Sequence, residues 1–251
     1  MLFSPLEQFQ IYPLIGLRLG NLDLSFTNSS FIIALSLIIF LILLKLLISS
    51  KNQLFFIPKN WQVIIESVYS TMLSMVVDNV GEKGQYYFPF VFTLFLFILI
   101  SNLTGLVPYS FTITSHLIVT FGLAVMVFIG VNIICIKEHG IHMLSLFMPA
   151  GTSIGLAFVL VPIEIVSYIF KPLSLAVRLF ANMMAGHTLL KVIAGFAWSM
   201  MAAGGLLFVA HFIPLVLLVI LFALELGVAL IQTYVLTLLT CIYLNDAVNL
   251  H

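Results

Sequence analysis

The chain has 251 residues, of which 63% are hydrophobic and 7% are charged, and its formal net charge is zero. So few charges cannot cover the surface of a soluble domain of this size, so the chain is an integral membrane protein. The balanced charge, without a basic tract, argues against nucleic acid as a partner.

Residues 1–27 are mixed and turn-rich, with no signal-peptide n-region and no Arg-rich presequence; the expectation is insertion without a cleaved leader, or a leader already removed. Residues 29–48 form the first span, an Ile/Leu/Phe run capped by Asn28-Ser29-Ser30. Over 60–79, Trp61, Ile64, Ile65, Val68, Met72, Met75 and Val76 recur at helical spacing. Glu66, Ser67, Ser70, Ser74 and Asp78 lie mostly on the other side, which predicts an amphipathic helix on the membrane surface. Residues 88–107 and 113–136 predict a hairpin of two spans (88–136), and 141–149 a short apolar piece ending in Pro149.

Two long apolar segments follow, 152–193 and 206–245. A helix of that length runs about 60 Å, against a hydrocarbon core about 30 Å thick, so each must tilt strongly, kink or break. Pro162, Pro172 and Pro214 supply kink points. The fold class is therefore an all-α integral membrane protein with one membrane domain over 1–251: a first span, a surface helix, a helical hairpin, and an antiparallel pair of long tilted helices (152–245). Cys135 and Cys241 fall in apolar runs, lack ligand spacing and read as core residues; no metal site is expected.

Lys45, Lys51, Lys59, Lys83 and Lys137 cluster after the first span and after the hairpin, whereas 107–113 and 194–205 carry no Lys or Arg. The positive-inside rule puts Lys51, Lys59, Lys83, Lys137 and the C-terminus inside, and the N-terminus outside; Arg18 opposes this assignment alone.

The most informative residue is Arg178. An arginine cannot shed its charge, and at a bilayer centre it costs from about 3 to more than 10 kcal/mol. No acid lies within one helical turn of it, so its counter-charge comes from another segment or another subunit. Glu164, Lys171 and Arg178 are spaced by seven and share a face, flanked by Ser174 and Asn182. The second long helix carries Glu225 and Gln232, then Asp246.

In an antiparallel hairpin, residues at equal depth have a constant index total. Arg178 with Gln232, His187 with Glu225, and Glu164 with Asp246 all total 410 or 412, implying a turn at Gly204-Gly205. Polar groups then stand level at three depths: Glu164 and Asp246 inside, Arg178 and Gln232 in the middle, His187 and Glu225 outside. A titratable acid on one side and a His–carboxylate pair on the other, with a permanent cation between, suit two proton paths that do not connect. His187 is nine residues from Arg178, about 180° around an ideal helix, so contact between His187 and Glu225 needs a kink or an intervening water.

The run Ser174-Leu-Ala-Val-Arg-Leu-Phe-Ala-Asn-Met-Met-Ala-Gly-His187, with Glu225 and Gln232 downstream, resembles subunit a of F-type ATP synthases. Asn102-Leu-Thr-Gly-Leu-Val-Pro-Tyr-Ser-Phe-Thr-Ile-Thr-Ser-His116, Pro5-Leu-Glu-Gln-Phe9 and Tyr243-Leu-Asn-Asp-Ala-Val-Asn-Leu-His251 extend the resemblance over the whole chain. The resemblance implies a proton-conducting stator subunit, not an enzyme on its own and without a cofactor, beside a ring of c subunits, with peripheral-stalk subunits and membrane lipid as further partners and a dimeric complex. It implies that Arg178 is the essential charge facing the ring carboxylate, supported by Asn182, Gln232 and Ser174. His187 and Glu225 would line the outer half-channel; Glu164, with Asp246, would line the inner one. The order His187 then Glu225 resembles that of mitochondrial and alphaproteobacterial members, and both chain ends resemble plant, algal or protist mitochondrial ones, which implies the mitochondrial inner membrane, or else an alphaproteobacterial plasma membrane. Lys171 matches only part of the family and reads as structural, and His116, His139, His142 and His211 receive no role. No phosphate-binding loop of the G-x-x-x-x-G-K-[ST] type is present. Two other classes compete: a stand-alone proton-coupled transporter, which requires inverted repeats and a complete in-chain site, and a membrane anchor whose polar residues serve assembly.

Overall fold

The computed structural model describes residues 7–19, 22–49, 60–107, 110–140 and 154–249. The apolar piece at 141–149, Pro5, Lys51, Lys59, His142 and His251 lie outside the described residues. The N-terminal stretch forms two short antiparallel ribbons, β1 (Pro13–Ile15) with β4 (Phe26–Thr27) and β2 (Arg18–Leu19) with β3 (Leu22–Asp23). The remaining elements are helices: α1 (Asn28–Ser49), α2 (Asn60–Val80), α3 (Phe88–Gly105), α4 (Leu117–His139), α5 (Ile154–Ala203), α6 (Leu206–Ala210) and α7 (Phe212–Val248).

Ordinary stop and start signals explain where these helices begin and end. At α1, Thr27 N donates to Ser30 Oγ at 2.9 Å and Ser30 N donates to Thr27 Oγ1 at 3.4 Å, a reciprocal cap on donors the first turn leaves free. Asn28 Oδ1 accepts from Tyr12 N at 3.2 Å and ties the first ribbon to the helix start. The amphipathic face of α2 is buried only in its second half: Met72, Met75 and Val76 join the core, while Ile64 is exposed. Tyr69 sets its ring edge-on to Phe88 at 4.9 Å and to Phe92 at 5.8 Å, fixing α2 against α3.

The core runs through α2, α3, α4, α5 and α7. Val76, Val91, Ile98, Val127, Leu175, Leu179, Leu236 and Leu244 are buried in it, as are the free thiols Cys135 and Cys241. Large apolar side chains such as Ile118, Phe158 and Ile213 point outward, as expected of lipid-facing surface. Among the described residues, five segments are long and apolar enough to cross a membrane, Gln62–Val80, Glu82–Gly105, Leu117–His139, Phe158–Ala203 and Phe208–Val248, and Asn28–Ile42 of α1 is a shorter apolar helix. The protein is thus an all-α multi-pass membrane protein, and α2 meets the length and composition of a span as well as those of a surface helix.

Polar contacts tie the helix ends together. Tyr87 Oη donates to Glu138 Oε1 at 3.2 Å, Asn249 Nδ2 donates to Val80 O at 3.1 Å, and a His139 ring nitrogen lies 3.0 Å from Val248 O. The ends of α2, α4 and α7 and the start of α3 therefore meet at one end of the molecule. At the opposite end the α3–α4 turn closes against Gly105, where an added Cβ would stand 2.8 Å from Thr112 Cγ2.

The long pair departs from the sequence-based boundaries in two ways. Helix α5 has 50 residues and does not stop at 193; Ala and Met carry it through Ala203. The turn is Gly204-Gly205 alone, with φ of 69° and 60°, a region closed to most side chains. The second segment breaks at His211 into α6 and α7, so Pro214 is no mid-helix kink. It occupies the first turn of α7, where a missing N–H costs nothing. Pro162 and Pro172 do lie inside α5.

Candidate functional site

The site is the contact between α5 and α7. On α5, Leu175, Leu179 and Met183 recur at i, i+4 and i+8 and are buried in the bundle. That stripe forces the neighbouring positions outward: Ser174 and Arg178 are both exposed. Ser174 Oγ donates back to Lys171 O at 2.9 Å. Among the described residues no carboxylate lies within ion-pair distance of Arg178.

One turn beyond, Asn182 Nδ2 donates to Gln232 Oε1 at 3.2 Å. Gln232 is buried, and its Nε2 has no hydrogen-bond partner among the described residues. The adjacent Thr233 Oγ1 donates to Ala229 O at 2.8 Å and accepts from Asn102 Nδ2 of α3 at 3.2 Å. Asn102 thus anchors α3 to the same seam.

On the far side of α5 from Arg178, His187 Nε2 approaches Glu225 Oε1 to 3.5 Å, with side-chain exposures of 13% and 5%. The two side chains are therefore adjacent, within ion-pair distance. Gly186 permits it: a Cβ there would stand 2.7 Å from Glu225 Oε1. Neither carboxylate oxygen nor His187 Nε2 meets hydrogen-bond geometry with another described group. A buried acid in that position needs a proton, a protonated neighbour or water.

At the opposite end of the pair, Lys171 Nζ lies 3.6 Å from Asp246 Oδ2, and over the rings of Tyr168 at 5.9 Å and Tyr243 at 5.5 Å. Tyr168 Oη donates to Asn132 Oδ1 of α4 at 2.8 Å. Glu164 is partly buried near the start of α5.

Two contacts differ from the equal-depth pairs: Gln232 bonds Asn182, one turn from Arg178, and Asp246 pairs with Lys171, two turns from Glu164. The paired indices total 412 at His187–Glu225, 414 at Asn182–Gln232 and 417 at Lys171–Asp246. The index total thus drifts by five along the pair, and the long lysine side chain spans part of that offset. These contacts put α7 on the His187 face of α5 at one end and on the Lys171 face at the other. That arrangement removes the obstacle that a half-turn separation between Arg178 and His187 posed.

Sequence reasoning missed Asn102, Thr233, Asn132, Tyr168 and Gly186. The first four are ordinary polar residues in apolar helices, and only their cross-helix partners reveal them. Gly186 stands inside the motif that ends at His187, but its use depends on where Glu225 lands. Outside the spans, His116 stacks on Phe111 at 4.8 Å, and burial pulls its pKa below the usual histidine value.

A buried His–Glu pair, an outward-facing arginine and an amide ladder within a long helix pair define a multi-pass protein built around intramembrane ionisable groups. The sequence model of the family described as ATP synthase A chain matches residues 30–245. The chain is 61% identical to ATP synthase subunit a of Pylaiella littoralis over 251 residues, covering 100% of both chains. It is 51% identical to ATP synthase subunit a of Chondrus crispus, covering 99% of this chain and 97% of that one. It is 45% identical to ATP synthase subunit a of Paramagnetospirillum magneticum, covering 99% of each. The chain belongs to the ATP synthase A chain family, the membrane-sector subunits of F-type ATP synthases.

Proposed function

We propose that this chain is the proton-carrying stator subunit of a rotary ATP synthase, with two offset half-channels separated by Arg178. The observation that supports this best is the division of charge on α5. Arg178 is exposed and has no carboxylate of its own chain within ion-pair reach among the described residues, while His187 and Glu225 are buried together on the opposite side. A stand-alone transporter would supply Arg178 with an internal acid; here the chemistry calls for a carboxylate from outside the chain.

Protons arrive from the outer side past Glu225 and His187 and neutralise a c-ring carboxylate just released from Arg178. The neutral carboxyl tolerates lipid, whereas the charged form is strongly disfavoured there. After rotation it loses the proton toward the inner side near Glu164, with Asp246, held by Lys171, at the mouth of that path. Arg178 attracts the resulting carboxylate and blocks direct leakage between the two paths. Asn182, Gln232 and Ser174 support the arginine. Each charge crossing about 100 mV contributes about 2.3 kcal/mol, so several protons are required per ATP. In this reading α2 lies on the inner membrane surface, the partners are the c-ring, peripheral-stalk subunits and lipid in a dimeric complex, and the location is the mitochondrial inner membrane.

The test is Arg178→Ala in the assembled complex. Proton-driven ATP synthesis is expected to vanish while the complex still assembles; coupled synthesis that persists in this variant would contradict the proposal.

A further inference from the structure

Beyond the helix pair, at the end of the molecule that carries the α3–α4 turn, a cavity of about 760 Å³ opens between the N-terminal segment, the start of α1, the α3–α4 turn and α5. That volume falls within the range, roughly 300–1,000 Å³, that holds small organic ligands. Its polar groups divide into two sets. Asn28 and Ser110 are satisfied: Asn28 Nδ2 donates to Gln10 O at 3.0 Å, and Ser110 Oγ donates to Thr104 O at 2.8 Å. Glu7, Gln8 and Lys191 also line it. Among the described residues neither Glu7 nor Lys191 has an ion-pair partner, and Gln8 Nε2 is buried without a hydrogen bond. The rest of the wall is apolar, contributed by residues such as Phe31, Ile32 and Phe111.

An unpaired cation, an unpaired anion and an unused amide donor over apolar walls match one chemical class in a membrane setting. We propose that this cavity is a binding site for a zwitterionic phospholipid whose headgroup carries a primary ammonium. Lys191 and the Gln8 amide hold the phosphate, Glu7 accepts hydrogen bonds from the ammonium, and the acyl chains lie along Phe31 and Ile32. A purely anionic lipid satisfies Lys191 but meets the charge of Glu7. A water-filled proton vestibule leaves the apolar wall wet and sets a fixed cation, Lys191, one turn beyond His187 on the same face, where it repels incoming protons. Neither residue belongs to the proton path described above, so the site stands or falls separately from it.

The experiment uses the intact ATP synthase in nanodiscs containing a photoactivatable phosphatidylethanolamine with its diazirine near the glycerol, and maps adducts by mass spectrometry. Labelling is expected on residues 28–32 or 110–111. Lys191→Gln and Glu7→Gln are each expected to reduce it about fivefold, the loss of one charge-assisted contact, while Lys191→Arg retains it. Phosphatidylcholine, whose headgroup has no N–H, is expected to compete about fivefold less well than phosphatidylethanolamine. Proton-driven ATP synthesis is expected to continue in all three variants. Labelling that neither charge-removing substitution changes would overturn the site. Stronger labelling of the unmodified complex by a phosphatidylglycerol probe than by phosphatidylethanolamine would make it an anion site instead. Unchanged labelling with slowed ATP synthesis in both charge-removing variants would make it a proton vestibule.

Discussion

Gly186 decides how close Glu225 comes to His187. Its missing side chain leaves room for the carboxylate against the α5 backbone, and a methyl group there would overlap Glu225 Oε1 at 2.7 Å. The obstructing atom is the tip of a flexible side chain, so the strain is relieved by moving the carboxylate and not the helices. Gly186→Ala is therefore expected to leave assembly at the unmodified level but to lower proton-driven ATP synthesis about tenfold or more, since misplacing a reacting group by an ångström has effects of that order. ATP synthesis at the unmodified rate in that variant would mean that the His187–Glu225 geometry is irrelevant to proton flow. The charged residues of this site were legible in the sequence because ionisable groups stand out against 63% apolar residues. Gly186 was not, because a glycine in an apolar helix has no chemical signal until its neighbour is known.

At the scale of the elements, the helix pair depends on its turn. Gly204 and Gly205 both adopt positive φ and reverse the chain between a 50-residue helix and α6. A side chain in this left-handed region costs about 1–2 kcal/mol per residue. Gly204→Ala and Gly205→Ala are each expected to lower the thermal stability of the assembled complex by that amount, and their combination by roughly the sum. A thermal-unfolding series showing no change would mean that the turn tolerates an ordinary backbone. The location of this turn followed from the polar pairs, which required a reversal near 205, and the glycines stood there. The end of α5 did not follow: residues 194–203 carry no Lys or Arg and read as part of the connection to the next segment, whereas the helix runs on through them to Ala203. The half-burial of α2 was also hidden: periodicity gives a helix an apolar face but does not say how much of that face its own chain covers. The ribbons at Pro13–Ile15 and Phe26–Thr27 are too short to carry a period.

At the scale of the whole molecule, the sequence pattern placed polar groups at three depths but assumed parallel axes. The indices of paired residues instead drift from 412 to 417 along the contact, and α7 meets one face of α5 at His187 and another at Lys171. Periodicity along one helix carries no information about the crossing angle with its neighbour, which is set by the packing of both surfaces. Arg178 is exposed between two polar pairs, Lys171–Asp246 and His187–Glu225, that draw both partners from this chain. An exposed arginine on a membrane helix is costly without a partner, and no acid stands at ion-pair distance from Arg178 among the described residues, which is why the proposed function looks for that partner in another subunit. The most direct measurement is a density map of the intact complex, read at Arg178. The guanidinium is predicted to face a carboxylate of a c-ring hairpin, with separate wet clefts reaching Glu164 from one side of the membrane and Glu225 from the other. A guanidinium turned into its own bundle and paired with an acid of this chain would contradict that, and would make the polar seam a structural ion network.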